Sequence, residues 1–160
     1  DEEMKEILID SVINVSYEKK NRPSKKDKLI EKINAYKTKE ERAACFYSFF
    51  TSKKASKADF ALVAEVAQKI VGAVWVRIIH DYGHIDDETP SLAISLYKEY
   101  RGQGIGTDMM KEMLSLLKTH GYKRVSLSVQ KANYAAEMYR KIGFDIVREN
   151  EEEWIMVCNL

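Results

Sequence analysis

Proline and cysteine are scarce in this 160-residue chain, with two of each, and the charges nearly cancel to a net +1. Few prolines beside 45% apolar and 32% charged residues exclude a disordered or low-complexity chain and suit one domain with one core. Cys45 and Cys158 lie far apart, match no metal or redox spacing and sit among apolar neighbours, so each reads as a small buried thiol. Near-neutral charge excludes a global field toward nucleic acid or an anionic membrane. The local basic run Lys19-Lys20, Arg22, Lys25-Lys26 and Lys28 reads as a solvated helix start. No signal-like segment and no run of ~18 apolar residues appears, so the expectation is a cytoplasmic, reduced protein. His80, His84 and His120 read as surface or loop residues, and no metal site is expected. No internal repeat is evident.

Glycine is also sparse, seven in all, yet three fall at Gly102, Gly104 and Gly106. Ahead of them Leu92, Ile94 and Leu96 alternate as a half-buried strand requires; behind them a helical pattern begins. A strand feeding a glycine loop into a helix N-terminus can hold a pyrophosphate. The first-turn amides lack helical partners, the dipole there favours negative charge, and glycine admits close approach. Arg101 can add a charge-assisted contact. Two nucleotide loops do not fit. After Gly106 comes Thr107-Asp108, not the Lys-Ser/Thr of a P-loop, and the glycine spacing is G-x-G-x-G, not G-x-G-x-x-G.

Arg101-x-x-Gly104-x-Gly106 resembles the acetyl-CoA signature Q/R-x-x-G-x-G/A of the GNAT superfamily of N-acetyltransferases. Downstream, Asn133-Tyr-Ala-Ala-Glu-Met-Tyr-Arg-Lys-Ile-Gly-Phe144 is similar to that family's second hallmark, N-x-x-A-x-x-x-Y-x-x-x-G-F. The resemblance runs from about Lys69 to Leu160. It implies an α+β fold: a mixed, mostly antiparallel sheet flanked by helices and splayed at an acetyl-CoA cleft. Residues 1–160 would form a single such domain, 1–57 a helical acceptor-side region and 58–160 the cofactor-binding core.

By the same resemblance the backbone of Ser95, Leu96 and Tyr97 would bond pantetheine and the acetyl carbonyl. Arg101, Gly102, Gln103, Gly104, Ile105, Gly106 and Thr107 would hold the pyrophosphate. Asn133 would bond cofactor or substrate, or cap the next helix, or both. Tyr139 would touch the cofactor and protonate the leaving thiolate, a phenol being protonated at neutral pH. The family has no fixed general base. Glu88 is preferred here, with Asp86, Asp87 and Glu65 as alternatives, and Tyr134 reads as a surface residue. The implied activity is acetyl transfer from acetyl-CoA to a primary amine on a small molecule or peptide, by direct attack in a ternary complex. A non-catalytic acyl-CoA-binding module and a longer acyl donor remain alternatives. The acidic stretch at 86–88 hints at a cationic acceptor.

The pattern predicts three helical segments in the first half: Met4 through Val12 and Ile13, Pro23 through Ile33, and Lys39 through Phe50, followed by a loop to Lys57. Then come a strand over 60–67, a turn at Gln68-Lys69, a strand over 70–79, and a polar loop to Pro90. A helix from Gly104 stops at Gly121, and one from Tyr134 stops at Gly143. The final strand and the aromatic third helix suggest a possible homodimer contact.

Overall fold

The computed structural model describes residues 12–14 and 59–160. Among the described residues seven strands form one sheet, in the order β1-β2-β3-β4-β5-β7-β6. They are β1 (Val12–Asn14), β2 (Phe60–Val66), β3 (Lys69–Arg77), β4 (Ser91–Leu96), β5 (Arg124–Gln130), β6 (Phe144–Glu149) and β7 (Glu153–Asn159). Two α-helices of the described residues lie among them, α1 (Ile105–Thr119) and α2 (Ala135–Ile142). β1/β2 and β4/β5 are parallel and the other neighbours antiparallel, as a mixed, mostly antiparallel sheet requires.

β1 corrects one expectation. Val12 and Ile13 were assigned to an amphipathic helix by their spacing, yet Val12–Asn14 pairs in parallel with Val63–Glu65. Two adjacent β-branched residues suit a strand, and β2 offers an unpaired edge whose backbone groups need partners. The rest of that segment, the two later helical segments, the 51–57 loop and Cys45 fall outside the described residues.

β2 and β3 form a hairpin, its two-residue turn at Ala67-Gln68 rather than Gln68-Lys69. Both turn residues have positive φ, 49° and 63°, the geometry whose twist matches that of paired strands. α1 turns Ile105, Met109, Met110, Met113 and Leu117 into the core. It ends as expected at Gly121, where Gly121 N–H donates to Lys118 O and Tyr122 N–H to Leu117 O. α2 ends at Gly143, φ +116°, whose N–H donates to Tyr139 O and Arg140 O. Cys158 is a buried free thiol, as read.

The final strand β7 is not an edge. It lies between β5 and β6, pairing with both along its length. The exposed edge belongs to β6, whose residues after Phe144 are all exposed. Among the described residues, no helix is long and apolar enough to cross a membrane.

The turn yields a stability test. Ala and Gln carry a Cβ into the left-handed region, at about 1 kcal/mol each relative to residues that tolerate it. Ala67→Asn with Gln68→Gly should therefore raise unfolding stability by about 1–2 kcal/mol in urea titrations. A neutral or destabilised double variant would contradict the turn geometry.

Candidate active site

Everything at the site follows from where β4 and β5 part. Their pairing consists of a single bridge, Ser91 to Ser126, with Ser126 N–H donating to Pro90 O at 3.0 Å. Beyond it the two strands diverge and a cleft of about 360 Å³ opens. Its walls are β4 (Ile94, Ser95, Leu96), the glycine loop with the first turn of α1, and the start of α2 with Asn133 before it.

Alternation along β4 decides which backbone groups face this gap. Tyr97 N–H donates to Val71 O of β3 at 2.9 Å. Ser95 stands opposite Ala73, two residues away in the same register, so its N–H and C=O also point to β3. Those of Ile94 and Leu96 point the other way, toward β5. The expected trio Ser95, Leu96 and Tyr97 is thereby narrowed: only Leu96 offers backbone to the cleft, joined by Ile94, which sequence reading passed over. Ser95 lines the cleft, but Tyr97 is buried away from it, with the Lys69 ammonium 5.4 Å from its ring centroid.

The loop divides the same way. Arg101, Gly102, Gly104, Gly106 and Thr107 line the cleft. Arg101 Nε donates to Leu96 O at 2.9 Å. That bond ties the loop to the strand end and occupies the Leu96 carbonyl, while the Nη groups remain as donors at the loop's mouth. Gln103 does not line the cleft; its Nε2 donates to Glu99 O at 2.9 Å, bracing the turn. Ile105 is fully buried in the core. Gly104, at φ +88°, is the N-cap of α1, and no side chain caps the helix. The first helical bond is Asp108 N–H to Gly104 O, so the preceding amides lack intrahelical acceptors. A Cβ built on Gly102 or Gly104 meets nothing within 4 Å. The cradle is open space walled by unpaired donors, which fits an anionic group.

At the other side, Asn133 Oδ1 accepts from Ala135 N–H at 2.9 Å, the capping role, while the residue also lines the cleft. Tyr139 is 7% exposed, its ring centroid 6.0 Å from that of Phe144. It too lines the cleft, beside Tyr134, Ala135 and Met138. Tyr134 is 70% exposed, as a surface residue should be, yet forms part of the wall. The i, i+4 pairs Tyr134/Met138 and Ala135/Tyr139 were the sequence signal for these three.

Burial pushes the Tyr139 phenol up to about 12, and the neighbouring Tyr134 adds to the shift. The group thus holds its proton throughout neutral and mildly alkaline pH. It is a weaker acid than a free phenol; the same low-polarity wall also disfavours a thiolate and raises its basicity.

Glu88 does not join this constellation. It is exposed and outside the cleft wall; Asp87, also exposed, half-buried Asp86 and buried Glu65 lie outside that wall too. Asp86 pairs with Arg124 and accepts from Glu88 N–H. Its carboxyl is held below the usual range chiefly by the Thr89 hydroxyl; burial, the next-largest effect, opposes this, and the Glu88 amide and Arg124 lower it further. Asp86 thus holds the loop together.

A family model described as the acetyltransferase (GNAT) family matches residues 26–144. The chain belongs to the GNAT family. Among its relatives, an uncharacterized N-acetyltransferase, YobR, of Bacillus subtilis is 34% identical over 76 residues, 47% of this chain and 28% of that protein. N-alpha-acetyltransferase 30 of Schizosaccharomyces pombe is 33% identical over 88 residues, 54% of this chain and 57% of that one. The chain thus spans between 28% and 57% of the length of these two relatives. The crystal structure of the PaiA N-acetyltransferase from Thermoplasma acidophilum in complex with coenzyme A superposes with a TM-score of 0.59. That likeness covers 99% of this chain and 94% of that one at 17% identity, and it shows the shared GNAT fold.

The Tyr139 shift has a sign that can be tested. Its folded pKa lies above the unfolded value near 10, so its contribution is complete below pH ~10 and is lost as pH rises toward 12. Two units correspond to about 2–3 kcal/mol. Urea titrations between pH 9 and about 12 should show wild type losing that much more stability than Tyr139→Phe. Parallel slopes for both proteins would mean that the phenol is not desolvated.

Proposed function

We propose that this GNAT domain transfers the acetyl group of acetyl-CoA to a primary amine. The observation that carries the reading is the single-bridge parting of β4 and β5, with uncapped loop amides on one side of the gap and a protonated tyrosine on the other. Acetyl-CoA supplies the acetyl group in activated form, as a thioester.

In this proposal the Gly102–Thr107 amides and the Arg101 Nη groups hold the pyrophosphate. Ile94 and Leu96 give the backbone edge that takes the pantetheine, as one strand takes another, and the Leu96 N–H, its carbonyl partner being Arg101, is left to polarise the acetyl oxygen. Asn133 fixes the start of α2, which aims Tyr139 at the sulfur. Tyr139 holds a proton on its hydroxyl for the departing thiolate. Among the described residues, the cleft wall contains no carboxylate. In this proposal the amine arrives already neutral or loses its proton through water.

Two variants test the assignment. Gly104→Glu puts a carboxylate and a side chain into a φ +88° position facing the cradle. Calorimetry should show acetyl-CoA affinity reduced at least tenfold in a folded protein. Unchanged affinity would place the cofactor elsewhere. Tyr139→Phe keeps the ring and removes the proton. With an amine found by screening for free-thiol release, kcat should fall by ~10²-fold while acetyl-CoA affinity stays within a few fold. Full turnover in that variant would remove Tyr139 from proton transfer.

A further inference from the structure

The loop between β3 and β4, which the cleft does not use, gathers the chain's two histidines nearest in sequence. His80, His84 and Asp87 each turn a ligand atom inward, and those atoms lie within 4.8 Å of one another. The Nε2 atoms of His80 and His84 stand 3.8 Å and 3.7 Å from one oxygen, Asp87 Oδ1. Both distances exceed hydrogen-bond length, so the carboxylate is bonded to neither ring. They lie close to the roughly 3.4 Å that separates two ligands bound tetrahedrally to one ion at about 2.1 Å. The two imidazole rings also lie close together, 4.1 Å between centroids and tilted at 42°.

We propose that His80, His84 and Asp87 form a binding site for one divalent transition-metal ion. Two imidazole nitrogens and one carboxylate oxygen suit zinc, nickel, cobalt or copper and are a poor set for calcium or magnesium, which take oxygen ligands. The side chains of His80 and Asp87 are 82% and 83% exposed, so water completes the coordination.

Anchors beside the three ligands fix the loop backbone that carries them without metal. Asp81 accepts from Ser91 Oγ and from Gly83 N–H, both at 3.0 Å. Ser126 Oγ donates to Gly83 O at 2.6 Å, and Arg148 Nη2 donates to His84 O at 3.2 Å. Asp86, directly before Asp87, is tied to Arg124. Such pre-positioning lowers the ordering cost that a flexible loop would impose on binding. One feature limits the affinity. His84 Nδ1 is buried without a hydrogen-bond partner among the described residues, so the outer acceptor that usually orients a metal-bound imidazole is missing. The site should therefore bind zinc more weakly than one whose imidazoles have such partners.

The ligands lie outside the cleft wall, so this site stands independently of the acetyl-transfer reading. Untagged protein, stripped with EDTA and exchanged into chelator-free buffer, is titrated with zinc chloride by calorimetry and with cobalt chloride by visible absorption. One equivalent of each ion should bind, cobalt giving the d–d bands of a low-coordinate nitrogen–oxygen site. His80→Ala and Asp87→Asn should each weaken zinc binding by ~100-fold, at least the effect of losing an outer-shell partner. Because both side chains are exposed, the metal-free melting temperature should not change, which separates loss of a ligand from loss of the fold. Absence of saturable zinc binding in the wild type would overturn the proposal. So would undiminished affinity and stoichiometry in the double variant H80A/D87N, which would move the ion to another part of the chain.

Discussion

The constraint on which the molecule depends is an unmade pairing. A parallel strand pair normally satisfies backbone groups all along its length, yet β4 and β5 meet only at Ser91 and Ser126. Loop residues help to explain why the separation holds. Gly83 lies against the β5 backbone, where a Cβ would come within 3.2 Å of Ser128 N, and its carbonyl takes the Ser126 hydroxyl. On the cleft side, Arg101 occupies the Leu96 carbonyl. Closing the strands at Leu96 would displace the Arg101 bond. What is left open is an edge inside a sheet, where a ligand can bond as a strand would while the rest of the sheet stays intact.

Local chemistry made the right half of this structure legible. Leu92, Ile94 and Leu96 alternate, three glycines sit within five residues, and Gly121 and Gly143 stop two helices in the left-handed geometry that their positions suggest. Those signals act within one turn or one strand, so a single sequence displays them. The two hallmark motifs then located Tyr139 and Asn133 in the wall. Strand phase was harder to see. Whether Ser95 or Leu96 turns its amide to the gap depends on the bond from Tyr97 N–H to Val71 O, a contact between residues 26 positions apart.

The errors share that cause. Val12 and Ile13 have helical spacing with Leu8, but the open edge of β2 outweighs local periodicity and draws them into a strand. Glu88 is suitable chemically and close to β4 in sequence, yet it precedes the end of the strand where pairing persists, not the end where the cleft opens. His80, His84 and His120 are surface or loop residues as read, but their spacing does not reveal that the Asp81–His84 turn brings two of the rings together.

The place of β7 bears on how the domain is built. β6 leaves α2 and joins the sheet only through β7, which is synthesised after it and inserts between β6 and β5. During translation the helix carrying Tyr139 therefore emerges attached to a strand that has no neighbour to pair with. The far wall of the cleft is completed out of chain order, by the Trp154–Cys158 segment sliding between two strands made earlier. Until that late insertion, a nascent chain exposes two unpaired strand edges, and this is when it is most open to capture by another copy or by a chaperone.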